Sequence, residues 1–171
     1  MDRVYVFDTT LRDGDQTPGV SFTLQQKLKI AKLLEEMRVD MMEAGFAASS
    51  EGEFNTVKTV AKEIKDSIVA TLCRTLAKDI DLGWEAVKYA KNPRIHVFIS
   101  TSDIHLEYMM KKTRQEVIEI TENMVKYAKK YCSDVEFSAQ DATRSDLNFL
   151  LKVVKVAVDS GATTVNIPDT V

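Results

Sequence analysis

The chain has 171 residues, of which 44% are hydrophobic and 29% charged, and its formal net charge is −3 at pH 7. This length suits one domain with a core of its own, and the composition is that of a globular protein. The slightly negative charge and the lack of any Lys/Arg block exclude a basic nucleic-acid-binding surface. No apolar run approaches the roughly 18 residues of a membrane span, and the N-terminus lacks an apolar signal region. We therefore expect neither nucleic acid nor a membrane as a partner.

Short β-branched runs alternate with longer amphipathic segments along the chain. The first strand is predicted at Val4–Phe7 and the first helix at Thr23–Met37, with Thr23 as its N-cap. The last helix should begin with Ser145 as its cap and stop at Gly161. The predicted elements between and after them are strand 39–45, helix 51–64, strand 67–72, helix 77–90, strand 94–100, helix 114–131, strand 134–139, helix 145–161 and strand 163–168.

Five strand–helix units and a final strand predict an α/β fold, with a parallel sheet covered by helices. Two architectures compete, an open doubly wound sheet and a TIM (β/α)8 barrel. A doubly wound sheet calls for a glycine-rich phosphate-binding turn after the first strand, but "DTTLRDGDQ" (8–16) contains no GxGxxG. The sequence therefore favours a TIM barrel, of which six strands and five helices are present.

Polar side chains follow every predicted strand, which is where a barrel places its active site. Because parallel strands all end at the same rim, these side chains are expected to face one barrel mouth. They are Asp8, Arg12, Asp13 and Gln16 at the end of the first strand, Glu43 at the end of the second, Arg74 near the end of the third, His96 in the fourth, Ser138, Gln140 and Asp141 at the end of the fifth, and Asn166, Asp169 and Thr170 at the end of the sixth.

The adjacent pair Arg12 and Asp13 carries the chemistry that can be inferred from residue types. A carboxylate at a barrel mouth is a natural ligand for a hard divalent cation. An arginine beside it can stabilise negative charge on a substrate oxygen, and Glu43 on the next strand is within reach to orient it. A structural Arg–Asp pair is the alternative, but the convergence of Glu43, His96 and Gln140 favours a functional site. By position alone, His96 within a strand is more often a core residue.

Five segments resemble the 2-isopropylmalate synthase family, in order and with its spacing, over essentially all 171 residues. That family belongs to the metal-dependent TIM-barrel acyltransferases and lyases, which include citramalate and homocitrate synthases. The segments are "FDTTLRDGDQTPG", "EAGFAASS", "PRIHVFISTSDIHLEY", "DVEFSAQDATRSD" and "GATTVNIPDTV".

The resemblance implies a Claisen-type condensation of acetyl-CoA with a 2-oxo acid, assisted by Mg²⁺ or Mn²⁺, with Zn²⁺ as an alternative. It implies that Asp13 is a metal ligand, that Arg12 stabilises the enolate or alkoxide, and that Glu43 holds Arg12. The catalytic set is then Arg12, Glu43 and Gln140, and the substrate-binding set is Gln16, His96, Ser138 and Thr170. The segments look most like isopropylmalate synthases, so 2-oxoisovalerate is the expected substrate and leucine biosynthesis the expected pathway, with citramalate or homocitrate synthesis as alternatives. A homodimer is the expected assembly.

Two departures from the family pattern matter. Gln140 stands where the family pattern "EFSxED" has a catalytic glutamate, and an amide cannot act as a carboxylate base. It marks an altered or inactive enzyme, an engineered change, or a branch with its base elsewhere. The family's H-x-H metal motif and regulatory domain do not occur in residues 1–171. We therefore expect an incomplete catalytic domain, inactive by itself, that either self-associates or belongs to a longer protein.

Cys73 and Cys132 are far apart and form no Cys-x-x-Cys motif. Buried free thiols are therefore expected rather than a disulfide or a ligand pair. Free thiols fit a reducing compartment, and the expected location is the cytoplasm.

Overall fold

Strands and helices alternate in the computed structural model, which describes residues 3–171. Within that range the six strands form one parallel sheet in the order β1-β2-β3-β4-β5-β6. This sequential order confirms the barrel prediction, because the order in a doubly wound sheet reverses at a switch point. The strands are β1 Phe7–Asp8, β2 Met41–Gly45, β3 Ile68–Arg74, β4 Pro93–Ser100, β5 Val135–Gln140 and β6 Thr164–Asn166, and the helices are α1 Leu24–Glu36, α2 Glu51–Glu63, α3 Ala77–Val87, α4 Arg114–Lys129 and α5 Leu147–Asp159.

The helix ends follow local capping rules. Thr23 caps α1 in a full capping box with Gln26, as the sequence predicts. The cap of α5 is Asp146 rather than the predicted Ser145, because Asp146 Oδ1 accepts the Phe149 N–H at 2.8 Å while the Ser145 hydroxyl donates to the Asp141 carbonyl at 2.9 Å. The prediction for this cap was therefore wrong by one residue.

Two other predictions need correction. The first strand is β1 Phe7–Asp8 and not Val4–Phe7, because the Val6 N–H donates to the Asp40 carboxylate at 2.9 Å instead of to a strand. The segment His105–Met110, expected to be a loop, is a π-helix. The start of β1 depends on a side-chain hydrogen bond, and the periodicity of the sequence gives no sign of such a bond.

The chain divides into two compact units. The first runs to Leu72 and adds Asp81–Ile95, and the second contains Cys73–Ile80 and His96–Val171. In the first, α1 and α2 pack against β2, and its fully buried side chains include Ala31, Met42, Val57 and Val60.

In the second unit, α4 and α5 pack against β5. Val135, Phe137 and Ala139 are fully buried and alternate with Glu136, Ser138 and Gln140 along the strand. Successive side chains of a strand point to opposite faces. The polar side chains of β5 therefore share one face, and burial of Phe137 on the other contributes about 1.5–3 kcal/mol.

Candidate functional site

The turn after β1 presents an arginine between two carboxylates. The Thr9 carbonyl accepts the backbone N–H groups of Arg12 and Asp13 at 3.1 and 2.7 Å. Arg12 Nε donates to Glu43 Oε2 at 2.5 Å, and Arg12 Nη1 donates to Asp13 Oδ1 at 2.5 Å. We call Arg12, Asp13 and Glu43 the arginine–carboxylate cluster. Its guanidinium is held in one orientation, which is what recognition of a substrate oxygen requires.

An irregularity in β2 follows directly after Glu43. The pairing register of β2 with β3 shifts between Glu43 and Gly45, so that Ala44 is an extra residue. Such bulges re-aim side chains at the ends of strands. Glu43 is fully buried, and a buried carboxylate needs a partner of opposite charge. Arg12 supplies that partner.

Asp13 has the chemistry of a ligand for Mg²⁺ or Mn²⁺, since its carboxylate is a hard oxygen donor and 64% of its side chain is exposed. One of its oxygens is bound to Arg12, however. Among residues 3–171, no group of three or more His, Cys, Asp or Glu side chains could hold a metal ion. Among the residues that the structure describes, Asp13 is therefore a single candidate ligand and not part of a larger ligand cluster.

A second cluster lies on neighbouring strands of the second unit. His96 Nε2 on β4 lies 2.6 Å from Ser138 Oγ on β5, and Asn166 Nδ2 on β6 donates to the same Ser138 oxygen at 2.9 Å. Glu136 Oε1 is 3.8 Å from His96 Nε2. His96, Ser138 and Glu136 are all buried. This histidine–serine cluster offers imidazole, hydroxyl and amide groups of the kind that bind a carboxylate or keto oxygen.

Gln140 ends β5 and is held by a hydroxyl group. Ser100 Oγ donates to Gln140 Oε1 at 2.5 Å. The next residue, Asp141, has a left-handed backbone with φ of 63° and a buried carboxylate that accepts bonds from Ser102 and, at 2.7 Å, from Arg144. The bond from Arg144 holds the pKa of Asp141 below its usual value, although burial acts in the opposite direction. A charged, anchored Asp141 thus fixes the turn that follows Gln140.

Gln16 and Thr170 lie outside both clusters, as Gln140 does, but without a contact like the one between Gln140 and Ser100. Gln16 closes a 3-10 turn and Thr170 follows β6, and both are exposed. Neither side chain forms a hydrogen bond or ion pair with another described residue. Their substrate-binding roles stay predictions, as do the roles of the other site residues.

Three polar residues beside the predicted site residues were given no role by the sequence, although Asn166 was expected at the barrel mouth. Glu136, Asn166 and Ser100 contact predicted site residues. Strand alternation places Glu136 on the face of Ser138, whereas the register of β5 with β6 pairs Asn166 with Ser138. The alternation could have indicated Glu136. Both cysteines are buried, as predicted, and they form no disulfide within the described residues. Within the described residues, no helix combines the length and apolarity needed to cross a membrane.

Residues 3–171 match the model of a protein family described as HMGL-like. The chain belongs to the HMGL-like family. It is 57% identical over 171 residues to the 2-isopropylmalate synthase of Dictyoglomus turgidum, and 53% identical over 169 residues to that of Pyrococcus furiosus. These alignments cover 100% and 99% of this chain, but the chain spans only 34% of the length of either relative. It corresponds to their N-terminal part, and the predicted resemblance is confirmed.

Solved structures give the same fold for this HMGL-like chain. The HMG-CoA lyase of Bacillus subtilis superposes with a TM-score of 0.78 at 17% identity, over 99% of this chain and 59% of that one. The Pseudomonas aeruginosa hydroxymethylglutaryl-CoA lyase gives 0.77 at 17% identity, over 98% and 58%. At such low identity the likeness concerns the fold alone. It confirms six strands and five helices of a TIM (β/α)8 barrel.

Proposed function

We propose that the protein containing this chain condenses acetyl-CoA with a 2-oxo acid, with 2-oxoisovalerate as substrate and 2-isopropylmalate as product. The observation that carries the proposal is the arginine–carboxylate cluster, in which Arg12 is oriented by Glu43 and Asp13 at 2.5 Å each. A guanidinium held in this way can meet the negative oxygen of an enolate or alkoxide. The identity of 57% to a 2-isopropylmalate synthase supports the choice of reaction.

The proposed reaction moves one proton before the new bond forms. A base removes a methyl proton from acetyl-CoA, and the enolate carbon attacks the keto carbon of the 2-oxo acid to give an alkoxide. The alkoxide takes up a proton, and water then cleaves the thioester to release free CoA. Arg12 is proposed to neutralise the oxygen anions, whereas Gln140 keeps a hydrogen-bonding position without serving as the base.

His96, Ser138 and Thr170 are proposed to bind the 2-oxo acid, together with Gln16. The support is strongest for His96 and Ser138, whose ring nitrogen and hydroxyl oxygen lie 2.6 Å apart in a buried setting. Asp13 is proposed as one carboxylate ligand of Mg²⁺ or Mn²⁺, with Zn²⁺ as an alternative. Cys73 and Cys132 are buried and form no disulfide within the described residues, which supports a reducing compartment, the cytoplasm.

The test is thiol release from acetyl-CoA by the complete protein, stripped of metal and then supplied with Mg²⁺, Mn²⁺ or Zn²⁺. A panel of 2-oxo acids that runs from pyruvate to 2-oxoisovalerate and 2-oxoglutarate identifies the substrate. We expect metal-dependent release that is fastest with 2-oxoisovalerate. A faster rate with pyruvate or 2-oxoglutarate would reassign the substrate to that of a citramalate or homocitrate synthase.

A catalytically inactive barrel is the second candidate, and Gln140 favours it. An amide at this position cannot exchange a proton as a carboxylate does. Thiol release from none of the 2-oxo acids, with any of the three metals, would support this candidate and reject the first.

A further inference from the structure

A buried lysine lies outside both clusters. Lys27 on α1 is only 1% exposed, yet its ammonium group is 2.9 Å from Asp15 Oδ2 and 2.7 Å from Glu53 Oε1. Lysine is almost never fully buried unless it is paired. Replacing a buried ion pair by apolar groups is often neutral or stabilising, so stability alone is a weak reason for such an arrangement. The position of the two carboxylates suggests what the lysine does.

The first carboxylate belongs to the segment that carries Arg12 and Asp13. Asp15 lies two residues after Asp13, and its Oδ1 accepts the Phe22 N–H at 2.8 Å. Its other oxygen is bound to Lys27. Asp15 therefore closes the segment between Asp15 and Phe22, which begins two residues after Asp13, and anchors it to α1.

The second carboxylate touches the strand that carries Glu43. Glu53 lies in the first turn of α2, where the Ser50 hydroxyl accepts its N–H at 3.1 Å. Its Oε2 packs so closely on Gly45 that a Cβ added there would be 2.5 Å away. Gly45 follows Glu43 by two residues in β2. The Lys27–Glu53 pair is thus fixed against the end of β2.

We propose that Lys27 is a positioning residue for the arginine–carboxylate cluster. Through Asp15 it holds the segment that contains Arg12 and Asp13, and through Glu53 and Gly45 it holds the strand end that contains Glu43. The single ammonium group of Lys27 thereby sets the distance between Arg12 Nε and Glu43 Oε2. The importance of that distance for catalysis rests on the function proposed above, but the structural link does not.

The test compares Lys27→Met with Lys32→Met in the complete protein. Lys32 also lies on α1 and pairs with α2, at 3.0 Å from Glu63, but both of these side chains are about half exposed. The first readout is the Arg12 Nε–H signal in ¹⁵N NMR, which the bond to Glu43 shields from exchange with water. We expect Lys27→Met to lose this protection, and both Lys32→Met and Lys27→Arg to keep it.

The second readout is steady-state kinetics of thiol release. A misplaced site residue can cost about 100-fold in rate, so we expect kcat to fall about 10- to 100-fold in Lys27→Met, with recovery in Lys27→Arg. KM for the 2-oxo acid should change much less. Should the protein release no thiol at all, the proposed function fails, while the Arg12 signal still decides whether Lys27 positions the cluster.

A triple variant, K27M/D15N/E53Q, guards against simple unfolding, because it leaves no unpaired buried charge. Near-UV circular dichroism establishes whether it is folded. If the charge of Lys27 positions the cluster, the Arg12 Nε–H of the folded triple variant should still exchange with water as fast as in Lys27→Met. Protection equal to that of the parent protein, in either Lys27→Met or the triple variant, would overturn the proposal.

Discussion

At the scale of single residues, Arg12 uses two separate nitrogens of its guanidinium. Nε binds the fully buried Glu43 and Nη1 binds the largely exposed Asp13. A lysine has one nitrogen and no planar fork, so it cannot reproduce both contacts in the same orientation. The cluster is therefore specific for arginine.

Arg12→Lys should lower kcat of thiol release by about 10²–10³-fold, the loss typical of removing one oriented donor from an oxyanion site. Arg114→Lys is the matched control, since Arg114, the first residue of α4, forms an exposed two-point contact with Asp103 at 2.9 and 2.7 Å. The control should retain the parent rate. Equal rates in Arg12→Lys and the parent protein would remove Arg12 from the proposed mechanism.

Gln140→Glu should raise the rate of condensation in the complete protein if the amide limits the reaction. A positioned general base contributes about 10²–10⁴-fold, and the bond from Ser100 is already in place to hold a carboxylate. Gln25→Glu, a change of the same kind at an exposed position of α1, should have no effect. No gain in Gln140→Glu would show that the base lies elsewhere.

At the scale of elements, the start of α4 depends on one carboxylate. Glu116 accepts the Thr113 N–H at 2.8 Å and pairs with Lys112. The backbone bond from Thr113 is the main cause that lowers the pKa of Glu116 from 4.5 to about 2. A carboxyl group whose pKa is lowered by folding stabilises the folded state above its unfolded pKa and loses that effect as pH falls through the folded one.

Glu116→Ala should therefore lower the melting temperature at pH 7, and the difference from the parent should shrink between pH 4.5 and pH 2. Thermal melts across this pH range measure it. Glu122→Ala, which removes an exposed carboxylate paired with Lys126 on the same helix, should show a much smaller difference. A difference in melting temperature that stays constant down to pH 2 would contradict the lowered pKa of Glu116.

The end of β2 requires glycine. Gly45 has φ of +156°, and an added Cβ would meet Glu53 Oε2 at 2.5 Å and Val57 Cγ2 at 3.0 Å. Gly45→Ala should lower the free energy of unfolding by roughly 1–3 kcal/mol, since it combines backbone strain with crowding. Gly52→Ala in α2, where the nearest atom is Ser50 Oγ at 3.7 Å, should be neutral or stabilising by up to about 1 kcal/mol. Urea titrations measure the free energy of unfolding, and equal values for Gly45→Ala and Gly52→Ala would refute the close contact between Gly45 and Glu53.

At the scale of the molecule, β1 and β6 are the outermost strands in the order of the sheet. Val4, Tyr5 and Val6, next to β1, are each more than half exposed. Exposed apolar residues beside an edge strand favour pairing with another chain.

We therefore expect residues 1–171, produced as a separate polypeptide, to self-associate with increasing concentration and to release no thiol from acetyl-CoA. Val6→Lys should shift the association toward monomer, because a charge at a sheet edge opposes pairing. Val158→Lys on α5, where the side chain is 51% exposed, is the control and should leave the association unchanged. Sedimentation equilibrium measures the association state of each polypeptide, and a well-folded monomer of the parent polypeptide would contradict the expectation.

The sequence by itself determined the order of strands and helices, the barrel class, the Thr23 cap and the position of Arg12, Asp13 and Glu43 at strand ends. These follow from local periodicity, from short-range side-chain bonds and from the rule that parallel strands end at one edge. Family resemblance, more than any local pattern, directed attention to His96.

Only the tertiary structure decided which of these side chains touch. Helical periodicity places Lys27 on the same face of α1 as Ala31 and Leu34, but only the structure shows that its ammonium group is buried against carboxylates 12 positions before it and 26 after it. His96 finds Ser138 across 42 positions. Such contacts depend on how strands and helices pack, because a buried charge is stable only where partners from distant segments meet it, and local sequence carries no record of those partners.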